Sequence, residues 1–166
     1  MKSLKWIFIT LVTTAMLVAC SSSDLVFEEK KEFDEHKWMR FEVDTFRVDI
    51  KNTDNCYDIF FQCRYTPQID TSVTIVPVIV RMIAPSGQMR SFVYSFTIRN
   101  KNGNLEGDKL GTFYDNEARM REHFFFNEAG EHKLTVQQVS PYYEIPEVTG
   151  IGLKVLKSKL DYSFTE

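Results

Sequence analysis

The chain has 166 residues, a formal net charge of −3 and 14% aromatic residues, with phenylalanine prominent. A mildly acidic balance excludes the basic footprint that nucleic-acid binding requires, and low Pro plus Gly with many aromatics excludes extended disorder. What remains fits one domain of ordinary size, about 100–150 residues.

The first element is a leader. Lys2 and Lys5 precede an apolar run from Trp6 to Ala19, broken only by Thr10, Thr13 and Thr14. Roughly 20 apolar residues are needed to span a bilayer, so this shorter run reads as the hydrophobic part of a secretory signal. It ends in Leu17-Val18-Ala19-Cys20 and turns polar at Ser21-Ser22-Ser23-Asp24. Leu-x-Ala-Cys resembles the lipobox of bacterial lipoproteins. That resemblance implies cleavage after residue 19, diacylglyceryl transfer to the Cys20 thiol, and acylation of the new amine, as with palmitate. Each buried methylene contributes ~0.8 kcal/mol, and two or more chains hold firmly where one is marginal. Removing Lys2 and Lys5 with the leader moves the net charge from −3 to −5. Ser21 stands where an inner-membrane retention signal has Asp, which favours delivery to the outer membrane and leaves the facing leaflet open. The expected organisation is a signal peptide at 1–19, lipidated Cys20 with a flexible tether to 35, and a single domain over 36–166.

In the mature chain period-two patterns recur and no helical stripe does. "TFRVDI" puts Phe46, Val48 and Ile50 on one face, with Arg47 and Asp49 opposite. "YDIFFQCRY" puts Tyr57, Ile59, Phe61, Cys63 and Tyr65 on one face and Asp58, Phe60, Gln62 and Arg64 on the other. Cys56 and Cys63 sit seven residues apart, about 20 Å along a strand, whereas a disulfide needs Cα atoms within about 7 Å. Two buried free thiols are expected, and the same distance argues against metal ligation by this pair.

"TSVTIVPVIVRMIAP" reads as a strand buried on both faces, with Pro77 marking a bulge or an edge. "APSGQ" is a turn, and "SFVYSFTI", with Phe92, Tyr94, Phe96 and Ile98 inward, completes a hairpin. Residues 100–116 read as an irregular stretch. "REHFFF" is the next strand; Gly130 then turns the chain into a strand with Leu134 and Val136 inward. Pro141 and Pro146 flank a connection to "VTGIGLKVLK", where Ile151, Leu153 and Val155 alternate with Gly152, Lys154 and Leu156. Short strands spaced by turn signals argue for an all-β, antiparallel β-sandwich, jelly-roll or immunoglobulin-like.

Chemical motifs are few. Glu122-His123 and Glu131-His132 are expected on adjacent strands, where solvated polar faces are preferred to a metal site. "NKNGNLEGD" spaces oxygen-bearing side chains as calcium loops do, but Asn102-Gly103 is the strongest short turn signal. Phe113, Tyr114, Tyr142 and Tyr143 lie in or beside expected loops, where aromatics can contact a partner or a sugar; capping of the sandwich end competes with both. Asp115 and Glu117 could pair, which only separation in space decides. G-x-S-x-G, H-E-x-x-H and the P-loop pattern are missing. No enzymatic activity, metal or small-molecule cofactor is expected.

The order of these pieces carries a resemblance. A lipobox precedes Trp38; then come "YDIFFQCRYT", a long apolar strand, "GTFYDNEA", "FFFNEAGEHKLTVQQ" and "IPEVTGIGLKVLK". The series resembles the gliding-motility lipoprotein H (GldH-like) family of Bacteroidota, with His132 where the family often has an aromatic. The resemblance implies a lipid-anchored, non-enzymatic scaffold or assembly factor of an envelope or secretion-associated complex. Its partners are then the membrane, through the anchor, and other envelope proteins. On that reading Phe113, Tyr114 and Asp115, with Tyr142 and Tyr143, are the candidate contact residues. A carbohydrate-binding β-sandwich module at the cell envelope is the alternative.

Overall fold

A computed structural model describes residues 24–159; the leader and Cys20 lie outside the described residues. Eleven strands follow in order: β1 (Leu25–Glu32), β2 (Lys37–Met39), β3 (Asp44–Ile50), β4 (Tyr57–Tyr65), β5 (Ile75–Ile83), β6 (Met89–Thr97), β7 (Asp108–Leu110), β8 (Phe113–Phe124), β9 (Gly130–Gln138), β10 (Glu144–Pro146) and β11 (Val148–Lys157). All pairings are antiparallel, in a five-stranded sheet ordered β1-β11-β4-β8-β7, a four-stranded sheet ordered β3-β9-β5-β6, and a small β10-β2 pair.

Alternation decides which residues meet between the sheets. The inward rows of β4 (Ile59, Phe61, Cys63, Tyr65) and β11 (Ile151, Leu153, Val155) are buried against Phe46, Val48 and Ile50 of β3, Leu134 and Val136 of β9, and Val76, Val78 and Val80 of β5. Phe61 anchors the middle, with its ring edge-on to Phe96 at 4.9 Å. Trp38, on short β2, closes one end: it is fully buried and stacks on Phe33 at 6.3 Å and Phe61 at 5.9 Å. Apolar burial of this kind contributes about 25 cal/mol per Å², and it is the dominant stabilising contribution here.

Several expectations need correction. The segment expected as tether to residue 35 contains β1, which pairs along β11 from Leu25 to Glu32; its polar composition reflects an edge strand with one wet face. β5 is buried on one face only: Val76, Val78, Val80 and Met82 are covered, while Ile75 is half exposed. Pro77 marks neither a bulge nor an edge strand. β5 is flanked by β6 and β9, and Pro77 lies one residue beyond the last β9 pairing, where its carbonyl still accepts from Val139 N–H at 2.9 Å. The stretch expected to be irregular to residue 116 holds β7 and the start of β8. His123 and His132 do not face each other, because the chain crosses between sheets after β8. His132 is buried in the inward row of β9, 4.8 Å from the Phe126 ring, with Nδ1 3.1 Å from Gly130 O. In "NKNGNLEGD", Asn100 Oδ1 instead accepts from the N–H groups of Asn102 and Asn104, closing the turn.

Cys56 and Cys63 are buried and free. Burial pushes the Cys63 thiol far up, so it is inert in the folded state. Alkylation under denaturing, non-reducing conditions should find both thiols; a mass lower by two hydrogens would contradict the pairing geometry.

Candidate functional site

β11 turns Gly150 and Gly152 to the outer face of the five-stranded sheet, between β1 and β4. Two positions without side chains leave a hollow of about 360 Å³, walled by Lys30 and Glu32 of β1 on one side and by Gln62, Arg64, Asp115 and Glu117 on the other. The glycines are required by packing. A Cβ at Gly150 would stand 2.5 Å from Lys31 O, and one at Gly152 2.6 Å from Gln62 Oε1. The volume falls at the lower end of small-ligand sites.

The wall is a network of ion pairs. Arg64 grips Asp115 through two bonds, Nε to Oδ1 at 2.6 Å and Nη2 to Oδ2 at 2.7 Å, the bidentate geometry that planar guanidinium favours. Gln62 Nε2 donates to Glu28 at 2.8 Å and Glu117 at 2.7 Å, and Lys154 Nζ donates to both Glu117 oxygens. The hydrogen bond from Arg64 holds the Asp115 carboxyl below its ordinary range. Burial pushes Glu117 up, but the bonds from Gln62 and Lys154 outweigh it and hold Glu117 down as well. Gln62 Oε1 is buried with no hydrogen-bond partner. Among the described residues no group of three or more His, Cys, Asp or Glu could hold a metal ion.

Because the Asp115 value is depressed on folding, its contribution is fully present above the ordinary carboxylate range and is lost as pH falls through the lower folded value. Asp115→Asn should cost about 1 kcal/mol or less at neutral pH, the range for partly exposed pairs. It should also flatten the acid limb of the stability curve below the ordinary carboxylate range. Urea titrations at several pH values check both.

The expected contact residues fall in two places. Phe113, Tyr114 and Asp115 open β8 after the Gly111 turn. Asp115 lines the hollow, Phe113 lies under the Arg64 guanidinium at 5.8 Å, and Tyr114 stacks parallel on buried Tyr65 at 6.1 Å. Tyr114 is thus half-buried against the core rather than free in a loop. Tyr142 and Tyr143 sit between β9 and β10. The Tyr142 hydroxyl is 3.2 Å from Ser72 Oγ, and Tyr143 packs edge-on to the exposed Phe41 ring at 5.8 Å. Gln62, Arg64, Gly150 and Gly152 were not singled out as site residues. Their signal lay in the polar alternate face of "YDIFFQCRY" and in the glycines of "GIGLK".

Residues 25–155 match the family described as GldH lipoprotein. The chain is also 23% identical, over 95% of its length and 99% of the relative's, to the gliding motility lipoprotein GldH homolog of Christiangramia forsetii. Among solved structures, TmCBM61 in complex with beta-1,4-galactotriose aligns over 79% of this chain and 88% of that one, at 11% identity and a TM-score of 0.33. A structure of infectious bursal disease virus, Gx strain, aligns over 84% of this chain and 31% of that one, at 10% identity and a TM-score of 0.34. Likeness at these scores carries no argument about function. The family match runs from the first strand of the described fold almost to the end of the last: this chain belongs to the GldH lipoprotein family.

Proposed function

We propose that this lipoprotein is anchored in the outer membrane through Cys20 and acts without catalysis, as a scaffold or assembly factor for envelope proteins of a gliding or secretion-type assembly. The observation that carries the non-catalytic reading is the state of the cleft. General acid–base catalysis wants a group titrating near the working pH, whereas Asp115 and Glu117 are clamped by Arg64, Gln62 and Lys154 and held below the ordinary carboxylate range. Fixed, paired charges beside Phe113 suit recognition of a partner surface. A sugar-binding module would want ring faces open in a row; Phe60 and Phe113 each lie under a cation, Lys154 and Arg64.

Cys20→Ser removes the acylated thiol. The variant should leave the membrane fraction and appear in the soluble envelope fraction, while wild-type protein stays membrane-bound through a high-salt wash. A variant that remains membrane-bound after that wash overturns the anchor.

A further inference from the structure

The four-stranded sheet ends on β6. β6 pairs with β5 from Met89 to Thr97 without a register shift, and its other side carries no strand among the described residues. Successive residues of an antiparallel strand turn their N–H and C=O to alternate sides, and two bonds set the phase. Ile98 N–H donates to Thr74 O at 2.8 Å, on the β5 side. Thr97 C=O accepts from Asn116 Nδ2 at 2.8 Å, on the open side. Met89, Ser91, Val93 and Ser95 therefore turn their backbone groups to the open side. Asn116 covers only the Thr97 end. Of the devices that protect sheet edges, the rest of β6 has no proline and no bulge and carries a single charged side chain, Arg90.

Charge separates this edge from the rest of the molecule. The chain is net negative, yet β5 and β6 hold Arg81 and Arg90 and no carboxylate. Arg121 of β8 reaches across to lie 3.8 Å over the Phe92 ring. None of these three arginines is in an ion pair among the described residues. Val93 and Met89 are 64% and 59% exposed and share the outer face with Arg81, whereas Arg90 and Arg121 lie on the Phe92 side of the strand.

We infer that β6 receives an extended, acidic segment of a partner protein as an added strand. The outward backbone groups supply main-chain hydrogen bonds, and Arg90 and Arg121 meet carboxylates on the incoming strand. This recognition mode takes its affinity from the main chain and its specificity from alternate side chains. A second copy of this chain fits poorly, since its own β6 brings an arginine and no carboxylate. The surface is separate from the cleft and goes beyond the scaffold reading built on it.

The test is selection of nine-residue peptides from a display library on the full-length lipidated chain in detergent. Val93→Pro removes an outward N–H and leaves the β5 ladder intact, a position where edge strands tolerate proline. Arg90→Glu with Arg121→Glu reverses the charge through exposed side chains and guards against a folding defect in the proline variant. Acidic peptides without proline should be enriched, slow exchange of the Ser91, Val93 and Ser95 amides, and bind Val93→Pro at least tenfold more weakly. The double reversal should abolish their binding and favour basic peptides. The inference is overturned if no peptide is enriched, or if enriched peptides are basic. It is equally overturned if peptide binding ignores both variants, or if sedimentation finds a dimer of the chain that Val93→Pro dissolves.

Discussion

Trp38→Ala should lower stability by about 3–5 kcal/mol, the range for truncating a buried large aromatic. For a domain of this size that is a fall in melting temperature of roughly 10–20 °C. Trp38 is fully buried between Phe33 and Phe61, yet it stands on a strand of three residues whose only sheet partner among the described residues is β10. The short strand has little ladder of its own, so the indole is what holds it to the core. Its Nε1 is buried without a hydrogen-bond partner, so the polar atom adds nothing, and an unsatisfied donor costs about 1–3 kcal/mol. Trp38→Phe should therefore recover most of the loss, because it keeps the ring contact and removes the orphaned donor. Chemical denaturation of both variants checks this. A Trp38→Ala loss below about 1 kcal/mol would contradict the packing account.

Gly150→Ala should destabilise by about 1–3 kcal/mol, as overpacking does, and the damage should be local. The new methyl would stand 2.5 Å from Lys31 O and 3.3 Å from Glu32 Cα. These are backbone atoms that cannot rotate aside, so β1 must move off β11. Among the described residues β1 pairs with no other strand. Hydrogen exchange should accelerate over residues 25–32 and remain slow in β4 and β9. Gly152→Ala meets the Gln62 Oε1 and Lys30 Cγ side-chain atoms first. It should cost less overall, but it would fill the floor of the cleft and disturb the Gln62 bonds to Glu28 and Glu117. Equal exchange profiles for the two variants would contradict the steric reading.

The two-sheet core was legible because alternation carries it. Phe46, Val48 and Ile50 face inward as spaced, and so does the row from Tyr57 to Tyr65. The lipoprotein reading rested on the Leu-x-Ala-Cys leader and the family reading on the order of motifs, and the match to the GldH lipoprotein family supports both. Elsewhere local pattern misled. β1 was hidden because "LVFEEKKE" on an edge strand keeps its charges in water. The two histidines were placed side by side because β8 and β9 are consecutive, although the chain changes sheet between them. The same inward row that holds Leu134 and Val136 also placed His132 inside. Asp115 was singled out, but the cleft was not legible. Its walls come from β1, β4 and β8, and its space from two glycines on β11, so its four sources meet only through sheet order.

The central claim is that this lipoprotein works through contact with envelope proteins at the cleft and its β8 corner. The most direct test is capture from detergent-solubilised envelopes, followed by mass spectrometry, with wild type and a Phe113→Ala, Asp115→Asn double variant whose unfolding is measured in parallel. Phe113 is partly exposed and Asp115 lies on the rim, so the variant should stay folded. Truncating an interface anchor costs about 2 kcal/mol or more, so partners retained by wild type should be lost or strongly depleted. A folded double variant that captures every partner as wild type does would contradict the claim.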